Sequence, residues 1–187
     1  PHTSQQIHPV SAQAAKTVAH ARHALQKILQ GQDQRLAVII GPCSLHDIDA
    51  AKEYAEKLSK KIIQYKNTLC IIMRTYFEKA RSTTGWKGWI YDPDLKNTFQ
   101  VEKGVQTARQ LLLHINELGV PAGMEIVNPL TAHYFSDLTS WSVIGARTTE
   151  SQIHRELASA LTMPVGFKNN TSGDIQAAID GIQTARE

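Results

Sequence analysis

The chain has 187 residues, of which 42% are hydrophobic and 20% charged, and its formal net charge is +3. This apolar content excludes an intrinsically disordered chain, and no apolar run approaches the roughly 20 residues that a membrane-spanning helix needs. Basic and acidic residues are interspersed, with 20 Lys and Arg against 17 Asp and Glu, so neither a nucleic-acid partner nor a membrane partner is predicted.

The residues from Pro1 to Ser11 are polar, and no apolar segment of the kind found in a secretory signal peptide follows them. The two cysteines, Cys43 and Cys70, each lie beside an apolar run and do not form a disulfide framework. We therefore expect a reduced, cytoplasmic protein. Because residue 1 is not Met, we also expect the sequence to be part of a longer chain.

An N-terminal extension, residues 1–35, is predicted to carry one helix at 11–30, with Ser11 as its N-cap. In the main domain, 36–187, apolar runs alternate with segments of helical period. The predicted strands are 36–40, 69–73, 122–127, 141–146 and 165–167, and the predicted helices are 50–65, 99–118, 131–139, 150–161 and 174–186. A capping box formed by Thr149 and Gln152 is predicted to begin the helix at 150–161.

Five strand–helix units predict the α/β class, with a parallel sheet and helical crossovers. Two architectures fit, an open doubly wound sheet and part of a (β/α)8 TIM barrel, here its first five units. No G-x-G-x-x-G motif follows the first strand, so a dinucleotide site has no support. In both architectures ligands bind at the carboxyl ends of the strands, so the residues there are candidates for a site.

Several cations follow these strands or lie in the loop after the second strand: Arg74, Lys79, Arg81, Lys87, Arg147 and Lys168. Cations on one rim repel each other unless an anion lies among them, and Glu125 of the third strand can neutralise only one. The pattern predicts a small ligand with several negative charges, such as a phosphorylated metabolite. The alternative is that these side chains are solvated loop ends or structural ion pairs.

Cys43 follows the first strand in the segment Gly41-Pro42-Cys43-Ser44. A lone cysteine at a strand end is most often a small buried hydrophobe. Nearby cations would favour its thiolate, which suits a metal ligand or a nucleophile. All three interpretations stay open at this point.

Five stretches of the chain closely resemble the type I 3-deoxy-D-arabino-heptulosonate 7-phosphate (DAHP) synthases: GPCSLHD at 41–47, MRTYFEK at 73–79, TGWKG at 84–88, GARTTESQ at 145–152 and PVGFKN at 164–169. The resemblance implies a (β/α)8 barrel that condenses phosphoenolpyruvate with erythrose 4-phosphate and water, giving DAHP and phosphate at the start of the shikimate pathway. It further implies a divalent metal ion (Mn, Fe, Co or Zn), a homodimer or homotetramer, and an aromatic amino acid as a possible effector.

The resemblance also implies roles for residues at matching positions. The substrate-binding residues are Arg74, Ala146, Arg147 and Lys168 for phosphoenolpyruvate, and Arg81 and Ser82 for the sugar phosphate. Cys43 matches a metal ligand. Lys79 matches a catalytic lysine between the two substrates, and Glu125 an acidic residue near the attacking water.

Ala80 and Ser82 depart from the family's Lys-Pro-Arg-Thr motif, and Ala80 predicts a looser loop because proline fixes the backbone angle φ. The family's other metal ligands lie in three further units, beyond Glu187. We therefore expect the 187 residues alone to be inactive and a longer protein to be the enzyme. The alternative is a truncated or degenerate copy that binds phosphoenolpyruvate or assembles with partner subunits without catalysis.

Overall fold

A computed structural model describes residues 1–186. Its five strands form one parallel sheet in the sequential order β1-β2-β3-β4-β5. The strands are β1 (Leu36–Ile40), β2 (Leu69–Arg74), β3 (Ala122–Ile126), β4 (Trp141–Ile144) and β5 (Val165–Phe167). A doubly wound sheet reverses its strand order at a switch point, whereas a barrel keeps chain order. The doubly wound alternative is therefore wrong.

Seven α-helices occur in residues 1–186: α1 (His2–Ile7), α2 (Ala12–Leu29), α3 (Ile48–Tyr65), α4 (Val101–Glu117), α5 (Pro129–Phe135), α6 (Gln152–Ala160) and α7 (Gln176–Thr184). The six longer helices confirm the predicted ones within a few residues at each end, and a short 3-10 helix, Ser136–Leu138, extends α5. The sequence prediction did not include α1. None of these helices combines the length and the hydrophobicity of a bilayer-spanning segment.

Side-chain caps explain where the helices begin. The Ser11 hydroxyl accepts the N–H of Ala14 at 3.2 Å, as predicted for α2. Asp47 accepts the N–H of Ala50 at 3.0 Å, so α3 begins two residues before the predicted start. The predicted capping box is wrong, because Ser151 takes the N-cap position of α6 and the buried Thr149 hydroxyl has no hydrogen-bond partner within residues 1–186.

The main core lies between the sheet and helices α3 and α4, where Met73, Leu112 and Ile115 are fully buried. α2 packs against α4 and lies toward the amino-terminal ends of the strands. Its Arg22 donates to the carbonyl of Thr139, just before β4. The opposite, carboxyl-terminal ends of the strands are thus left to the loops that carry the candidate residues.

Candidate active site

The parallel sheet brings the candidate residues to one rim, which is formed by the carboxyl-terminal ends of the strands and the loops that follow them. Cys43 follows β1, Arg74 ends β2, and Lys168 directly follows β5. Ladder hydrogen bonds continue into these segments, with the N–H of Lys168 donating to the Ile144 carbonyl at 3.0 Å. The backbone therefore fixes where the candidate side chains start.

A thiol and two cations meet at the ends of β1 and β2. The Lys79 ammonium lies 3.3 Å from the Cys43 sulfur, and Arg74 Nη2 donates to the Cys43 carbonyl at 3.2 Å. The hydrogen bond from Lys79, and then its charge, lower the pKa of Cys43 below the usual range for a thiol. Cys43 is also exposed, so it is not the buried hydrophobe that its position suggested. A metal ligand and a nucleophile remain chemically suitable roles.

Glu125 and Lys168 form an ion pair across the rim, with 2.5 Å between Oε2 and Nζ. Gly145 makes room for this carboxylate, since a Cβ atom at Gly145 would lie 2.5 Å from Glu125 Oε1. Tyr76, which the sequence interpretation gave no role, lies beneath two of the cations. Its ring centroid is 4.1 Å from the Arg74 guanidinium carbon and 5.6 Å from Lys168 Nζ.

The Tyr76 phenol is buried, and burial raises its pKa to about 12. The ring therefore stays neutral and offers its π face to both cations. Arg74 Nε is buried and has no hydrogen-bond partner among the described residues. The aromatic ring orients the Arg74 guanidinium, and its Nε–H, unpaired within residues 1–186, could donate to an anion bound at the rim.

A groove of about 410 Å³ lies at the ends of β4 and β5, lined by Ser82, Ala146, Arg147, Glu150, Asn170 and Thr171. Arg147 Nε donates to the Ser82 hydroxyl at 2.8 Å, which brings two of the predicted substrate-binding residues together. Arg81 does not line this groove, because its Nε donates to the Trp86 carbonyl at 2.9 Å.

The loop between β2 and α4 presents Lys79, and its buried neighbour Glu78 anchors it. Glu78 accepts hydrogen bonds from the hydroxyls of Tyr91 at 2.9 Å and Thr131 at 2.8 Å, and from the Val127 N–H at 3.3 Å. Burial raises the pKa of this carboxyl despite these donors. Sequence reasoning missed Glu78; its only signal was its place inside the segment 73–79.

Gly88 lets the same loop close on itself. Its φ is +108°, and a Cβ atom there would lie 2.3 Å from the Phe77 carbonyl oxygen. Next to it, the N–H of Lys79 donates to the Lys87 carbonyl at 3.0 Å. Only glycine permits this close approach, which fixes the backbone from which the Lys79 side chain extends.

The rim offers one side chain that is suited to bind a metal ion. Cys43 offers an exposed sulfur whose ionised form is favoured, and a thiolate binds the transition metals well. Within residues 1–186 no three His, Cys, Asp or Glu side chains are grouped to hold a metal. Since a complete site needs three or four ligands, the others would have to come from outside these residues.

Comparison with known proteins connects this rim to one family. The model of the DAHP synthetase I family matches residues 8–187. The chain is 57% identical to the Phe-sensitive phospho-2-dehydro-3-deoxyheptonate aldolase of Escherichia coli K12 over an alignment of 177 residues. This alignment covers 95% of the chain and 51% of the relative. Over 179 residues the chain is 54% identical to the Trp-sensitive enzyme of the same strain, covering 96% and 51% respectively.

A solved structure of phospho-2-dehydro-3-deoxyheptonate aldolase from Francisella tularensis SCHU S4 superposes with a TM-score of 0.95 at 46% identity, over 97% of this chain and 53% of that one. The prediction of a partial (β/α) barrel with five units is thereby confirmed. The chain spans about half the length of the curated relatives that it matches. With a family model covering nearly all of it and relatives above 50% identity, the chain belongs to the DAHP synthetase I family.

Proposed function

We propose that the protein containing this chain is a DAHP synthase, which condenses phosphoenolpyruvate with erythrose 4-phosphate and water to give DAHP and phosphate. The observation that carries the proposal is the rim itself. There Arg74, Arg147 and Lys168 end or follow strands, Lys79 reaches Cys43 from the loop after β2, and Glu125 pairs with Lys168. Both proposed substrates are anions, and such a rim attracts and orients them.

Arg74, Arg147 and Lys168 would bind the phosphate and carboxylate groups of phosphoenolpyruvate, with the backbone of Ala146 beside them. Arginine suits this role because its planar guanidinium donates two parallel hydrogen bonds to such groups. The ring of Tyr76 supports two of the three cations from below. Held in this way, the substrate presents one face of its enol carbon to the second substrate.

Erythrose 4-phosphate would lie in the groove at the ends of β4 and β5, with its phosphate near Ser82 and Arg81. The Arg81 side chain would have to leave the Trp86 carbonyl to reach it. Bond formation joins carbon 3 of phosphoenolpyruvate to the aldehyde carbon and leaves an alkoxide. Lys79, which lies beside Cys43, can donate a proton to that oxygen.

Water then adds at carbon 2 and loses one proton to a base. The new hydroxyl becomes the carbonyl of DAHP as the bond from carbon 2 to the phosphate oxygen breaks, and its proton leaves with the phosphate. Glu125 is suited to accept the first of these protons, because the ion pair with Lys168 holds its carboxylate at the rim. A divalent ion (Mn, Fe, Co or Zn), held by Cys43 and by ligands outside residues 1–186, would polarise the aldehyde oxygen as a Lewis acid.

The names of the relatives, Phe-sensitive and Trp-sensitive, support an aromatic amino acid as the effector of this protein too. We further propose that the protein assembles as a homodimer or homotetramer. A cytoplasmic location stays a prediction, based on the free thiols of Cys43 and Cys70.

The test is an assay of the protein at its natural length with both substrates and a divalent ion. We expect phosphate release that requires erythrose 4-phosphate. The Lys79→Met variant should lower kcat strongly, whereas Lys60→Met, which removes an exposed charge from α3, should not. Phosphate release without erythrose 4-phosphate, or none with both substrates, would contradict the proposal, and the second result would favour a non-catalytic copy that only binds phosphoenolpyruvate.

A further inference from the structure

A second basic region lies at the opposite end of the sheet from the rim. There a groove of about 530 Å³ opens between α2 and the segments that lead into the first strands. Arg35 precedes β1, Leu69 begins β2, and Pro121 precedes β3, and all three line the groove. The groove is therefore separate from Arg147 and Lys168, which follow the carboxyl ends of the strands.

Helix α2 places a line of basic side chains along this groove. Lys16, His20, His23 and Lys27 follow one another at intervals of four, three and four residues, so they share one face of the helix, and all four line the groove. At 1.5 Å per residue the line is about 16 Å long. The pattern is a continuous basic stripe rather than scattered surface charges.

The charges of this groove are not balanced by its own residues. Arg35 and Lys66 add cations from the other wall, and the lining contains a single carboxylate, Asp33. Asp33 already accepts hydrogen bonds from Arg35 Nε at 3.0 Å and Nη2 at 2.6 Å. Within residues 1–186 no salt bridge involves Lys16, Lys27 or Lys66, whereas three lysines elsewhere each pair with a carboxylate.

We propose that this groove binds a small molecule that carries a polyphosphate chain. A linear anion with three or more charges can lie along the α2 stripe and contact Lys16 and Lys27 at the same time, which a single phosphate cannot do. The apolar residues Ile62 and Ile71 form part of the lining as well. The volume also lies within the range of small-molecule sites.

The test uses the protein at its natural length, with inorganic tripolyphosphate as the probe in isothermal titration calorimetry. The variant Lys16→Gln/Lys27→Gln should bind about 100-fold more weakly, since losing one charge-assisted hydrogen bond costs about ten-fold. The matched control Lys60→Gln/Lys96→Gln removes the same charge from exposed positions outside the groove and should bind within about two-fold of the parent.

A third variant distinguishes this groove from the rim. Arg147→Gln alters the rim alone, so with the rim already saturated by phosphoenolpyruvate the binding of tripolyphosphate should be unchanged in this variant. The proposal is overturned if the Arg147 variant weakens binding while the Lys16/Lys27 variant does not, if the groove variant and its matched control weaken binding equally, or if the parent protein does not bind tripolyphosphate.

Discussion

Replacing the buried carboxylate of Glu78 tests how the loop that carries Lys79 is held. Glu78 is 2% exposed and accepts from Tyr91, Thr131 and the Val127 N–H. Glu78→Ala leaves the Tyr91 hydroxyl and the Val127 N–H without this acceptor, whereas the Thr131 hydroxyl can still donate to the Asn128 carbonyl at 2.7 Å. Each of these two unsatisfied groups costs about 1–3 kcal/mol, so with partial rescue by water we expect a loss of about 2–4 kcal/mol in the free energy of unfolding.

The assay is urea unfolding of the parent and the variant at pH 7, together with kcat for the proposed reaction. We expect kcat to fall as well, because the Lys79 backbone loses its anchor. Glu117→Ala, at an exposed position of α4, is the control and should change the free energy of unfolding by less than about 0.5 kcal/mol. If Glu78→Ala is as stable and as active as this control, the anchoring role is refuted.

Three further predictions follow from contacts at the rim and in this loop. Burial raises the pKa of Glu78 in the folded state above the ordinary 4.5, so the folded protein holds that proton more tightly than the unfolded chain does. The free energy of unfolding should therefore fall as pH rises from 4.5 through the folded pKa. Urea unfolding of Glu78→Gln should not show this fall. Gly145→Ala should displace Glu125 and lower kcat, while circular dichroism stays native. Lys79→Met should raise the pKa of Cys43, seen as slower alkylation by iodoacetamide at pH 7 in the metal-free protein; an unchanged rate would contradict this.

The regular elements of the main domain could be predicted because each strand is a continuous apolar run and each longer helix has a 3.6-residue period. The predictions that failed concern features that depend on contacts between residues distant in sequence or on the turns between elements. α1 has no apolar period, and tertiary contacts with α4 hold it. The start of α6 was misplaced because hydrogen-bonded turns after β4, from the Thr148 N–H to the Gly145 carbonyl and from the Ser151 N–H to the Thr148 carbonyl, bring Ser151 to the N-cap.

For the candidate site, too, the features set by local sequence could be predicted and those set by distant contacts could not. A parallel sheet requires the residues after its strands to share one edge, so the convergence of cations could be predicted. Which side chains pair could not, because the contact of Lys79 with Cys43 depends on how a long loop folds back. Glu78 was missed because glutamate is rarely buried, and Tyr76 because stacking beneath cations leaves no pattern in the sequence.

The most direct test of the central claim is a crystal structure of the protein at its natural length with phosphoenolpyruvate bound. The account predicts that phosphate and carboxylate oxygens lie within hydrogen-bond distance of Arg74, Arg147 and Lys168. Phosphoenolpyruvate bound elsewhere, with these three side chains still in the contacts described above, would contradict it.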